Sequence, residues 1–249
     1  MSDLEKKRFV CLDCETTGLD PKEDRVIEVA CVEFTLEKKL DEFETLIDPC
    51  CEIPEVSIAI HHITNKMVAG KPKIEEVLPK VLDFVGNRTI VGHGIQFDIE
   101  VISHSCDRAG ITKNLRDNPF IDTLRMARLY GESPINSLEH LRKHFNIGSE
   151  IAHRAMSDVV VNIEVFKHLL KGYTSLNQLN KILAKPILLK EMPLGKHKGR
   201  PFKDIPVQYL RWAAHQDFDQ DLLFSIRTEL KKRKQGNLFS QASNPFQDL

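Results

Sequence analysis

The sequence predicts an α/β domain, a mixed sheet flanked by helices, followed by a small separate module. Three observations lead there. The first part of the chain holds three segments with apolar residues at alternate positions, and the next part alternates short apolar runs with helix-spaced ones. The proline-broken stretch "KPILLKEMP" then precedes a segment with its own glycines and helical patterns.

In chain order, period-two alternation and β-branched content mark "RFVCLDCE", "RVIEVACVEFTL" and "KLDEFETLID" as strands, and their short connections make them an antiparallel meander. "KIEEVLPKVLDFVG" carries Ile74, Val77, Leu78, Val81, Leu82 and Val85 at helical spacing, with Pro79 inside. "TIVGHG" is a short buried strand, "FDIEVISHSCDRAG" a helix closed by Gly110, and "PFIDT" a last strand. "SLEHLRKHFNI", "SDVVVNIEVFKHLLKGY" and "SLNQLNKILAK" are further helices. These patterns divide the chain into a domain over 1–184, a linker over 185–191, a small module over 192–234 and a flexible tail over 235–249.

At 249 residues the chain accommodates one large domain, or a middling one with an appendage. Its 41% hydrophobic and 29% charged residues describe an ordinary soluble protein rather than a disordered one. No apolar run reaches transmembrane length, and "MSDLEKKRF" has no apolar core of a signal peptide, so the sequence reads as cytoplasmic with no membrane partner. Six scattered cysteines read as reduced thiols. Cys11 and Cys14 form a C-x-x-C spacing, but on one strand they point to opposite faces, and no second pair follows at zinc-ligand spacing. A net charge of −1 excludes a strongly basic coat while leaving room for a local basic patch.

Residues two apart on a strand share a face, so Asp13 and Glu15 project together with Phe9 and Cys11. Two carboxylates in one small volume raise each other's pKa and are costly unless a cation lies between them. A divalent metal is the simplest resident, and all-oxygen ligands favour magnesium or manganese. For an isolated Asp-x-Glu, solvated strand-end acids are the alternative. Asp98 opens a helix directly after a buried strand, where the helix dipole favours a carboxylate, as ligand or as cap. Within one helix, His153 and Asp158 would stand about 140° apart. His153 is therefore expected on the loop before the helix and Asp158 in its first turn, both reaching one site. A surface histidine is the alternative.

The order Asp-x-Glu, Phe-Asp, His-x4-Asp resembles the DEDDh family of 3′→5′ exonucleases, the DnaQ-like fold of the ribonuclease H-like superfamily, in its polymerase III epsilon and exonuclease X types. The motifs are Asp13 to Gly18, His93 to Asp98 and His153 to Asp158, and the resemblance spans about the first 170 residues. The segments "IHHIT" from Ile60 and "IDTLRMAR" from Ile121 are also similar to recurring family segments. The resemblance implies two magnesium or manganese ions held about 4 Å apart by Asp13, Glu15, Asp98 and Asp158, with His153 as general base. It implies that Thr16, Thr17, Gly18 and His93 meet the 3′-terminal nucleotide, and that Ile63 is a wedge beneath its base or else an ordinary core residue. Asp122 reads as a helix cap. Gly94 stands where the family usually has Asn. The implied partner is a nucleic acid with a free 3′ end, DNA in proofreading or repair, with a polymerase as a protein partner. An RNA exonuclease of the ribonuclease T or oligoribonuclease kind and a non-catalytic scaffold are the competing readings.

"LGKHKGR" from Leu194, followed by "YLRW" from Tyr209, resembles a small C-terminal module of exonuclease X type enzymes. Lys196, Lys198 and Arg200 are candidate nucleic-acid contacts, and Tyr209 or Trp212 either stacks a base or joins Leu210 in a small core. "QGNLF" from Gln235 resembles the peptide by which bacterial replication proteins dock on the sliding clamp. It makes Gln235, Leu238 and Phe239 candidate clamp contacts, or else part of a disordered tail.

Overall fold

The computed structural model describes residues 7–133, 135–148, 154–173 and 175–242, with the backbone alone for 236–242. The chain divides into two compact units, residues 1–180 and 181–249.

In the first unit, β1 (Phe9–Thr16), β2 (Val26–Phe34) and β3 (Lys39–Leu46) form the expected meander. Two short helices that the sequence pattern does not announce follow, α1 (Glu55–His61) and α2 (Asn65–Val68). Next come α3 (Ile74–Val85), β4 (Thr89–Gly92), α4 (Gln96–Arg108), β5 (Phe120–Asp122) and α5 (Thr123–Tyr130). The series continues with α6 (Leu138–His144), α7 (Ala155–Leu170) and α8 (Leu176–Leu183). The sheet has the order β3-β2-β1-β4-β5, antiparallel through the meander and parallel at β1–β4 and β4–β5. It is the mixed sheet flanked by helices that the sequence predicts.

β1 is central, and its alternating side chains serve two layers. Val10 and Leu12 pack with Val77, Leu78, Val81 and Leu82 of α3 and with Ile99 and Ile102 of α4. On the other face Phe9, Phe34 and Phe166 of α7 form an aromatic trio with centroids 5.3–6.0 Å apart. Such pairs add about 0.5–1.5 kcal/mol each beyond the area they bury. The trio fixes α7 against the start of β1. The carboxylates lie at the other end of the same strand, where the β1–β2 register shifts between Glu15 and Thr16.

The second unit has its own core of Met192, Phe202, Ile205, Leu210, Ala213, Leu222 and Ile226. Two 3-10 turns (Gly195–His197 and Phe202–Asp204) precede α9 (Val207–Ala213) and α10 (Gln220–Ala242). Arg233 ties α10 to the second turn by donating to the carbonyls of Phe202, Lys203 and Ile205. α10 runs to Ala242, through residues 235–242 that the sequence pattern places in the tail. No proline interrupts before Pro245, and Gly236 alone is too weak a breaker, at about 1 kcal/mol, to stop a helix already propagated through Leu, Lys and Arg. Among the described residues no helix is long and apolar enough to cross a membrane.

Candidate metal centre

The last residues of β1 and the first turn of α7 bring three acids together. Asp13, Glu15 and Asp158 each offer a carboxylate oxygen, and those atoms all lie within 4.8 Å of one another. Asp13 and Glu15 share the face that looks toward α7, as Cys11 two residues earlier shows by reaching the Val159 carbonyl at 3.6 Å. Asp158 lies in the first turn of α7, as the spacing argument expects.

Asp98 stands beside this trio. It is buried at the start of α4, and its Oδ1 accepts the Cys14 amide at 2.9 Å, so a bond to the β1 backbone fixes its place. The electrostatics record the crowding. Asp13 is pushed well above the usual carboxylate range by burial, then by Asp98, Glu15 and Asp158. Glu15 is pushed up to about 8 by burial, then by Asp158, Glu28 and Asp98, with Arg154 opposing. Asp98 rises to about 7 through burial, against the pull of the Cys14 amide. Four carboxylates that repel one another from adjoining elements make a site short of positive charge. All-oxygen donors of this kind fit a hard divalent cation such as magnesium or manganese.

The centre rests on a buried brace that the sequence reading missed. Glu28 of β2, register partner of Glu15, has no solvent exposure. Its two oxygens accept Arg154 Nε at 3.1 and 3.0 Å, Arg154 Nη2, and the Ala155 amide at 3.0 Å. The first residues of α7 are thereby bolted to the sheet directly beside Asp158. The signal was an acid within the apolar run "VIEVACV", which cannot be buried without a cation partner.

The other candidates divide. Thr17 is buried, donating through Oγ1 to Asp24 and accepting from the Arg25 amide, while its carbonyl accepts Ser57 Oγ. Thr16 Oγ1 donates to the Gly18 carbonyl at 2.6 Å. Gly18 is closely packed, since a Cβ there would lie 2.5 Å from the Asp24 carboxylate and push that side chain aside. These residues shape the turn after the acids, with their hydroxyls engaged inside it. Ile63 is fully buried, in a cluster with Ile27, Ile53 and Val68. His93 bridges Thr123 Oγ1 and the Asn136 carbonyl, and burial lowers it to about 4. It is a neutral strut between β4 and the loop before α6.

Asp122 caps α5 by accepting the Leu124 amide and also takes the Gly94 amide, both at 2.9 Å. Gly94 has φ +73°, a left-handed conformation that Gly and Asn both adopt readily, so the backbone there suits either residue. His153 lies outside the described residues. In the second unit Lys196, Lys198 and Arg200 are exposed, Leu210 is in the core and Trp212 is not. Gln235 is exposed on α10, which also carries the backbone of Leu238 and Phe239.

Residues 10–166 match a family model described as "Exonuclease". Residues 179–231 match a second model, described as "Putative quorum-sensing-regulated virulence factor". The DNA polymerase III subunit epsilon of Aquifex aeolicus is 34% identical over 187 residues, covering 70% of this chain and 90% of that protein. The PolC-type DNA polymerase III of Clostridium perfringens is 35% identical over 193 residues, 75% of this chain, but the match spans only 13% of the relative's length. Among solved structures, Exonuclease X in complex with 5′ overhanging duplex DNA aligns with a TM-score of 0.55 at 26% identity, over 68% of this chain and 95% of that one. Escherichia coli Exonuclease I in complex with a dA16 oligonucleotide shares the fold, with a TM-score of 0.61 at 23% identity over 72% of this chain and 43% of that one.

Proposed function

Because this chain belongs to the exonuclease family, we propose that it removes nucleoside monophosphates from the 3′ end of DNA, in replication proofreading or repair. The observation that supports this most is the convergence of Asp13, Glu15 and Asp158 within 4.8 Å, with Asp98 alongside. These four acids would hold two divalent cations, magnesium or manganese. Bound there, the cations would lower the pKa of the attacking water and stabilise charge on the leaving oxygen. His153 takes the proton of that water as general base, its ordinary pKa near 6.5 suiting the task at neutral pH. Water oxygen bonds to phosphorus, the bond from phosphorus to the 3′ oxygen breaks, and the shortened strand keeps a 3′ hydroxyl. The chain's own contribution is to fix Asp98 through the Cys14 amide and Asp158 through the Glu28–Arg154 brace, so that the acids are ordered before substrate arrives.

DNA is favoured as substrate because the epsilon relative is named for DNA polymerase III and the Exonuclease X neighbour holds duplex DNA. The same reading makes a polymerase a protein partner, with Gln235, Leu238 and Phe239 as contacts to a sliding clamp once the end of α10 unwinds. The test is a 5′-labelled single-stranded DNA, its RNA counterpart, and duplexes with paired or mismatched 3′ ends, each with magnesium or manganese. A ladder shortening from the 3′ end of DNA, faster at mismatches, is the expected result. A preference for RNA would move the chain to RNA maturation, and metal-independent degradation would remove the cation reading.

A further inference from the structure

The second unit presents a tryptophan where a folded protein would usually bury one. Trp212, the single tryptophan of the chain, is 52% exposed on α9, because that helix gives Leu210 and Ala213 to the core and leaves the indole outside. The Tyr209 ring braces it at 5.2 Å between centroids. Lys196 Nζ stands 5.4 Å over the Tyr209 ring, and the His197 ring meets the same phenol edge-on at 4.5 Å. The loop carrying Lys196 is held shut at its base by the bonds between Met192 and Arg200 and between Gly199 and Met192. Gly195, at φ +71°, allows the loop to press on the phenol, since a Cβ there would lie 3.0 Å from the Tyr209 hydroxyl.

Beside Lys196, the same unit presents further exposed cations. Lys196, Lys198, Arg200 and Arg211 are all exposed, and among the described residues no ion pair engages them. An exposed aromatic face bordered by cations matches a strand with free bases and a phosphate backbone. Within a duplex the base faces are stacked on one another and only the ends expose one, and an apolar protein partner would have to bury exposed cations.

We propose that this face of the second unit binds single-stranded DNA, with a base stacked on Trp212 and phosphates held by Lys196, Lys198 and Arg200. The choice of DNA rests on the exonuclease reading given above.

Because Trp212 is the only indole, its fluorescence reports this surface alone. The full chain, with divalent cations chelated to stop cleavage, is titrated with 5′-labelled oligo(dT) while indole emission and label anisotropy are followed together. Quenching on the same isotherm as the anisotropy is expected. Trp212→Ala should weaken binding about tenfold, the scale of one stacked base. Lys196→Gln, Lys198→Gln and Arg200→Gln combined should weaken it further and reduce the salt slope by about 2. Anisotropy without quenching, no binding at all, equal quenching by inorganic polyphosphate, or quenching by oligo(rU) alone would each overturn the proposal. Quenching in a protein that degrades no 3′ end would support this surface and overturn the exonuclease reading instead.

Discussion

Arg154 grips both carboxylate oxygens of Glu28, an acid with no solvent exposure on a strand 126 positions earlier in the chain. The pair lies between the sheet and the first turn of α7, so it sets where Asp158 stands relative to Asp13 and Glu15. Arg154→Ala leaves a buried carboxylate with only the Ala155 amide. Breaking a fully buried pair costs about 3–5 kcal/mol, and the partial exposure of Arg154 reduces this to about 2–3. Urea denaturation should show that loss. Glu28→Gln in the Arg154→Ala background should recover part of it, because the uncompensated charge is gone.

The crowded acids give a pH dependence whose sign is fixed. Glu15 and Asp98 have folded-state values raised to about 8 and about 7, above those of an unfolded chain. From the ordinary carboxylate range up to these raised values the folded state therefore binds more protons than the unfolded state, and stability falls as pH rises through that window. Metal-free protein should melt at a higher temperature near about pH 5 than near about pH 9. Magnesium or manganese should raise the melting temperature most at the high end, where the carboxylates are ionised.

Gly18→Ala places a methyl group against the Asp24 carboxylate, which Thr17 and the Asp20 amide also use. Overpacking of this kind costs about 1–3 kcal/mol. Thermal denaturation should show the loss, and manganese affinity should be nearly unchanged, because no acid of the centre is touched.

Gly94 offers a paired comparison. Its φ of +73° disfavours an ordinary side chain, although the nearest atom to an added Cβ is Leu124 Cδ2 at an unstrained 3.9 Å. Gly94→Ala should cost about 1 kcal/mol and Gly94→Asn less, since Asn tolerates the left-handed region. Equal losses in chemical denaturation would show that side-chain volume, and not the backbone, limits this position.

α3 was legible because its apolar residues recur at helical spacing, and β1 and β2 because apolar and β-branched residues alternate or run together in them. α1 was not, since its buried residues are Ser57 and His61, which leave no apolar stripe to read. At the site, type and spacing singled out Asp13, Glu15, Asp98 and Asp158 only as candidates with ordinary alternatives; it was the resemblance to the exonuclease family that put them in one set, and the folded chain brings ligand atoms of Asp13, Glu15 and Asp158 within 4.8 Å. The engagement of Thr17 with Asp24 was not, because the turn that folds one onto the other has no pattern of its own. The Glu28–Arg154 brace was half legible: the buried acid stands out in its strand, but only the folded chain shows which cation answers it.

We propose that Asp13, Glu15 and Asp158 form a divalent-cation centre that cuts at 3′ ends. Its most direct test is manganese binding followed by electron paramagnetic resonance, on the parent protein and on Asp13→Asn and Asp158→Asn, each checked for folding by circular dichroism. Saturable binding in the parent that is lost in both folded variants, together with cleavage, is the expected result. Manganese bound equally well by the variants, or cleavage that persists in them, would show that these acids do not form the cation centre.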